Sequence, residues 1–180
     1  MKQPKPSASA QKTTLLFSLA AFLLVLALAA AIQAGQEEPR EISAEKACPV
    51  CGMYPHRYPD WHAQVIFTDG SMEAFDGGKC MFRFLLNMEK FAPGRTAGQI
   101  AAIKVRDFAG AAWIDGTTAH YVVGSREMGP MGRELIPFAT RAAAEEFRKT
   151  KGGSVKVYGE IDMETVAPLM GHGGGGHHGH

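Results

Sequence analysis

Phe67-Thr68-Asp69-Gly70-Ser71 recurs in outline as Trp113-Ile114-Asp115-Gly116-Thr117: an aromatic, any residue, Asp-Gly, then a hydroxyl. Each copy follows small or apolar residues and precedes a short alternating segment. Asp-Gly between such segments signals a hairpin, because both turn positions tolerate positive φ. Each hairpin leads to a predicted helix, at residues 78–88 and 140–150, where Thr140 serves as N-cap and Gly152 as stop. Each helix leads to an alternating strand, at 102–108 and 154–158. The order ββαβ is therefore expected twice. That predicts an α+β chain of two similar small units in tandem, 47–110 and 111–168, after an apolar N-terminal segment.

The halves differ in one place. Between Tyr121-Val122-Val123 and Leu135-Ile136-Pro137-Phe138 stands Gly124-Ser125-Arg126-Glu127-Met128-Gly129-Pro130-Met131-Gly132-Arg133-Glu134. So many glycines with a proline predict a loop, and a loop that carries Met128 and Met131 offers exposed thioethers.

The flanks read differently. Lys2, Lys5 and Lys12 precede an uncharged run over 13–34. Residues 1–35 are thus expected to be a cleaved signal or a retained single-span anchor, with the rest of the chain exported to the periplasm. No cysteine lies just past the apolar run, so no lipid anchor is expected there. Residues 36–46 read as a charged linker, and 169–180 as a disordered Gly/His-rich tail. That tail is either a low-affinity metal collector or a processed or engineered end.

A formal net charge of +1 argues against nucleic-acid binding. The three cysteines, Cys48, Cys51 and Cys80, are too few and odd in number for a disulfide framework. With nine methionines they suit a soft metal such as Cu(I). Cys48-Pro49-Val50-Cys51-Gly52-Met53 places two thiols and a thioether close together. The Cys-x-x-Cys spacing leaves three chemistries open. It grips one soft ion, forms half of a zinc site that His56 and His62 complete, or cycles as a redox pair Cys48/Cys51 in a periplasmic thiol–disulfide oxidoreductase. The zinc reading makes the chain a zinc-stabilised structural domain. Cys80-Met81 lies among Phe82, Phe84, Leu85 and Met88, company that favours a buried structural thiol. His120 reads as structural and Glu145-Glu146 as a solvated face. No acid–base pairing marks a catalytic site, so the chain is not expected to be an enzyme.

Taken in order, Cys51-Gly52-Met53, Phe75-Asp76 leading to Cys80-Met81, Tyr121-Val122-Val123-Gly124-Ser125, Pro130-Met131-Gly132 with Leu135-Ile136-Pro137-Phe138, Gly152-Gly153 and Val155-Lys156-Val157-Tyr158-Gly159-Glu160-Ile161 resemble the NosL family of nitrous-oxide reductase accessory proteins. The resemblance covers nearly the whole predicted folded part. It implies a periplasmic Cu(I)-binding metallochaperone that supplies copper to apo nitrous-oxide reductase, with other copper-assembly proteins as further partners. It also implies two ββαβ units. By the same resemblance the copper ligands are Cys51, Met53 and Met131, with Cys48 and Met128 secondary. Many family members carry a lipid-bearing cysteine after the signal. This chain does not, so membrane attachment is expected only through residues 13–34.

Overall fold

The computed structural model describes residues 37–170. The predicted signal or anchor (1–35) and residues 171–180 of the predicted tail lie outside the described residues. Among the described residues, no helix is long and apolar enough to cross a membrane.

The elements run in the order β1 (Ala63–Phe67), β2 (Met72–Phe75), α1 (Gly78–Leu85), α2 (Met88–Phe91), β3 (Ile100–Arg106), β4 (Trp113–Asp115), β5 (His120–Gly129), β6 (Gly132–Phe138), α3 (Arg141–Lys151), β7 (Ser154–Val157) and α4 (Met163–Val166). Two antiparallel sheets result, ordered β2-β1-β3-β4 and β6-β5-β7. The class is α+β, and ββαβ occurs twice, as β1-β2-α1-β3 and β5-β6-α3-β7.

Strand parity explains why β1 is buried along its whole length. Ala63, Val65 and Phe67 join the main apolar core, and the residues between them point to the other face. There Gln64 is fully buried and holds the backbone of Arg40 twice. The Arg40 N–H donates to its Oε1 at 2.9 Å, and its Nε2 donates to the Arg40 carbonyl at 2.6 Å. Ile42 is buried nearby in sequence, and Lys46 pairs with Glu73 of β2 at 2.6 Å. The predicted linker of 36–46 is therefore part of the fold from about Arg40 onward, because a buried glutamine demands polar partners.

Helix α1 is gripped from both sides. Phe84 packs on Phe75 of β2 with ring centroids 5.2 Å apart, and Phe82 meets Tyr121 of β5 edge-on at 4.9 Å. Both sheets thus share one core, and the two units are not independent domains. The outer face of the second sheet buries Val122, Ile136 and Phe138 under Ala144 and Phe147 of α3. Helix α3 starts where Thr140 accepts the Ala143 N–H at 3.2 Å and stops at Gly152, whose φ is +77°.

Three expectations are corrected. The Asp115-Gly116 turn does not close a hairpin. β4 pairs with β3 in the first sheet, and the chain then crosses to β5 in the second. The division at 110/111 moves past Asp115 accordingly. The predicted loop over 124–134 is mostly strand. β5 and β6 continue to Gly129 and Gly132, with Pro130-Met131 as a tight turn. A register irregularity between Val123 and Met128 absorbs Gly124, whose φ is +75°. The predicted end of the fold at 168 moves to Met170, since Leu169 is buried and Met170 packs against the main core.

Candidate metal centre

Cys48 and Cys51 lie in the loop that precedes the first sheet. The Cys48 N–H donates to the Met53 carbonyl at 2.7 Å, and the Gly52 N–H donates to the Cys48 carbonyl at 2.9 Å. Gly52 sits at φ +78° with open space where a side chain would project. Glycine is needed there for the backbone, not for room. Cys80 arrives from elsewhere, as the third residue of α1, and Asp76 stands just before that helix.

The result is one cluster. The three Sγ atoms and a carboxylate oxygen of Asp76 all lie within 4.8 Å of one another. Cys51 Sγ donates to Asp76 Oδ1 at 3.1 Å. All three cysteines are free. Cys48, Cys80 and Asp76 are buried, whereas Cys51 is half-buried.

The electrostatics favour a thiolate in this cluster. Hydrogen bonds from Cys51 and then Cys80 hold the Cys48 thiol well below its ordinary range, against the opposing effect of burial. Hydrogen bonding to Cys48 and Cys51, then burial, pushes Cys80 the other way. Burial, and then the contact with Cys51, raises Asp76 to about 6. The positive N-terminal end of α1 also favours negative charge here. A cation bound by such a group would displace the protons that remain on its thiols.

Half-buried Cys51 opens into a cleft of about 600 Å³ whose walls include Arg83, Met131, Arg133 and Met170, with buried Cys80 set behind its lining. Lys79, itself buried, braces it. Its Nζ donates to the Met131 carbonyl at 2.7 Å and to the Leu169 carbonyl at 3.3 Å. One ammonium thus fixes both the β5–β6 turn and the C-terminal segment beside the cluster. The Lys79 backbone N–H also donates to Glu134 Oε1, and Glu134 accepts from its own neighbour Leu135 at 2.9 Å. The Glu134 carboxylate therefore caps α1 from the other sheet.

Burial raises Glu134 from 4.5 to about 7, against hydrogen bonds from Leu135 and the charge of Lys79. The folded state then binds more protons than the unfolded state between those values. This contribution is favourable at acid pH and is lost as pH rises toward 7, by about 3 kcal/mol. Glu134→Gln is expected to gain stability relative to the parent as pH rises from about 4.5 to 7. Denaturant melts of both proteins across that range check it, and a constant difference would refute it.

Of the residues expected from sequence, Cys48 and Cys51 meet in the cluster, and Met131 faces the same cleft as Cys51. Met53 is tied in by its backbone, but its side chain does not line the cleft. Met128 is 55% exposed on β5, opposite Arg133, and is likewise not in the lining. His62 Nε2 donates to the Pro55 carbonyl at 2.8 Å and the ring stacks on Trp113, so it is engaged away from the cysteines. His56 is not in the cluster either. The sequence reading missed Cys80 and Asp76 as members, and Met170 as a wall. The signal for the first two was present: Asp76 and Cys80 are spaced to flank a helix start.

A sequence profile of the NosL family matches residues 39–166. The chain is 30% identical over 147 residues to the copper-binding lipoprotein NosL of Stutzerimonas stutzeri, covering 76% of this chain and 74% of that protein. It is 30% identical over 168 residues to the copper-binding lipoprotein NosL of Achromobacter cycloclastes, covering 82% and 83%. The crystal structure of the copper chaperone NosL from Shewanella denitrificans superposes with a TM-score of 0.61 at 23% identity, over 72% of this chain and 98% of that one. That last likeness speaks for the fold. The profile, by contrast, runs through the cysteine cluster, the brace at Lys79 and both sheets, and on it the chain belongs to the NosL family.

Proposed function

We propose that this chain is an exported copper carrier that holds one Cu(I) at the cysteine cluster and passes it to apo nitrous-oxide reductase. The observation that carries the reading is the set of three thiols within 4.8 Å of one another, the outermost of which opens into a thioether-lined cleft. Thiolates and thioethers prefer Cu(I), and thioethers need no deprotonation to bind. Cys48, Cys51 and Cys80 supply the sulfurs, and Met131 the thioether that meets the ion from the cleft. Met53 and Met128, named by the family resemblance, have no comparable support. The two relatives named copper-binding lipoprotein agree with the metal. The recipient rests on the family resemblance alone. The chain works in the periplasm, tethered at the inner membrane wherever residues 13–34 are retained. It transfers an ion and makes or breaks no covalent bond of a substrate, so it is a carrier and not an enzyme.

One observation favours a second reading. Three thiols with a carboxylate make four donors, the number a structural zinc site requires. Competition titration of the reduced protein with Cu(I) and Zn(II) separates the two. One tightly bound Cu(I) with far weaker zinc is expected, and Met131→Ala should lower the Cu(I) affinity about tenfold. Tight zinc with weak copper would replace the carrier by a zinc-stabilised domain. Neither metal bound tightly, together with a readily reduced Cys48–Cys51 disulfide, would favour the thiol–disulfide role.

A further inference from the structure

The cleft over Cys51 is charged in one sense only. Three cations line it, Lys79, Arg83 and Arg133, and no carboxylate does. The whole chain carries a formal net charge of only +1, so this excess is local and not a general basicity. Buried Asp76 and Glu134 lie outside the lining and are engaged, one with Cys51 and the other with the Lys79 and Leu135 N–H groups. Among the described residues, neither Arg83 nor Arg133 forms a salt bridge. We propose that these two arginines dock the copper acceptor through a short acidic segment, one that carries carboxylates beside a soft donor and brings that donor to the ion on the Cys51 side. The proposal rests on the copper reading above.

Each arginine stands beside a sulfur. Arg83 follows Cys80 by three residues in α1, on the same face of the helix. Arg133 follows Met131 by two residues, at the start of β6. Arg83 is ordered by stacking on Phe91, its guanidinium carbon 5.6 Å from the ring centroid. Its N–H groups have no acceptor among the described residues. Stacking thus fixes the side chain and leaves its fork free, so less entropy is lost when a carboxylate arrives. Guanidinium forks match carboxylates two bonds at a time. Lys79 adds positive charge, but its Nζ is already committed to the Met131 and Leu169 carbonyls. It raises the field without taking a partner of its own. A second copy of this chain is a poor occupant, because its cleft carries the same sign of charge. A volume of about 600 Å³, roughly twenty waters' worth, admits a few side chains of an extended segment. Charge at such a rim speeds encounter and fixes register more than it tightens the complex, which suits a delivery that must end in release. The transfer is a ligand exchange: the incoming donor bonds to copper as Cys51 leaves it, the oxidation state is unchanged, and the freed thiolate takes a proton from solvent.

The test uses the full chain, reduced, in a neutral detergent. The probe is a fluorescent peptide with one methionine between two pairs of aspartates, set against the same peptide with lysines for aspartates. Fluorescence anisotropy with the metal-free protein should show the acidic peptide bound and the basic one not, and the binding should weaken as salt rises. In the double variant Arg83→Glu with Arg133→Glu the preference should invert, the acidic peptide losing at least about tenfold and the basic peptide gaining. Because one peptide gains, a misfolded protein cannot give that result. The milder pair Arg83→Gln with Arg133→Gln should remove the preference in a protein whose melt matches the parent. With one equivalent of Cu(I) loaded, the rates of copper transfer to the two peptides should follow the same order. Equal binding of both peptides, indifference to salt, or a glutamine pair that keeps the parent's preference would overturn the proposal. So would binding to phosphatidylglycerol vesicles with the acidic peptide left unbound, since the cleft would then serve a lipid surface. A protein that binds the acidic peptide but holds no Cu(I) through sulfur would sink the carrier reading and leave the docking site standing.

Discussion

Cys80→Ser is expected to weaken Cu(I) binding by at least about a hundredfold while leaving the protein folded. Cys80 contributes one of the three clustered sulfurs and is fully enclosed. A serine hydroxyl at the same place is a hard donor that stays protonated, so it cannot replace a thiolate for a soft ion. Loss of a partner that merely orients a ligand already costs 10–100-fold in metal affinity, and loss of the ligand itself should cost more. The fold should suffer far less. The buried hydroxyl costs about 1–3 kcal/mol, and Cys48 and Asp76 remain close enough to bond it. A chelator competition and a thermal melt, run on the same sample, read both quantities. They also decide between two roles, because a purely structural thiol would lower the melting temperature and leave the copper affinity untouched.

Gly78→Ala is expected to destabilise the fold by about 3 kcal/mol, at the upper end for overpacking, and to weaken copper binding with it. Gly77 and Gly78 let the first turn of α1 press against β6. A side chain on Gly78 would run into the Leu135 carbonyl oxygen, and one on Gly77 into the Glu134 carboxylate. The obstacle at Gly78 is backbone inside a sheet, which cannot swing aside as a side-chain tip can. Relief therefore requires α1 to move off β6. Cys80 rides on that helix two residues later, so the same movement pulls its sulfur from Cys48 and Cys51. The melting temperature should fall by about 10 °C, and Cu(I) affinity should fall in parallel. A melt within about 2 °C of the parent would mean that β6 yields and that the close approach is not essential.

Local chemistry was readable from the residues alone. Asp69 Oδ1 accepts from the Ser71 N–H and hydroxyl, and Asp115 Oδ1 accepts in the same way from Thr117. Both copies of the Asp-Gly pattern thus make the same turn-stabilising bonds. The cap at Thr140 and the stop at Gly152 fell where the pattern put them. What the turn connects is not a local property. β4 has only three residues, and whether it pairs backward or forward depends on which sheet has a free edge. The stretch over 124–134 misled for a similar reason: a glycine at a strand irregularity and a proline in a two-residue turn cost a hairpin nothing, yet they count against a strand in composition.

The candidate site divides along the same line. Cys48 and Cys51 are neighbours in sequence, and their pairing is evident from spacing. Cys80 looked structural because its company is apolar. That inference about burial was sound, since α1 is clamped between Phe75 and Tyr121. Burial does not by itself keep a thiol out of a group of potential metal donors. Only the docking of α1 against both sheets reveals that its third residue meets the other two sulfurs. The convergence of Met131 and Met170 on one cleft depends on Lys79, whose single charged tip joins two segments far apart along the chain.

The uneven burial of the three sulfurs has a kinetic consequence. On the copper reading proposed above, with Cys48 and Cys80 buried and Cys51 half-open to the cleft, an ion held by the cluster would have one route out. Spontaneous departure requires breaking contacts to sulfurs that solvent cannot reach to replace, so first-order loss is slow. An incoming donor that fits the cleft can bond to the ion before Cys51 lets go, and the rate then rises with the concentration of that donor. On that reading a slender donor group is expected to strip the copper faster than a bulky chelator of equal affinity, which stopped-flow transfer to the two competitors would measure.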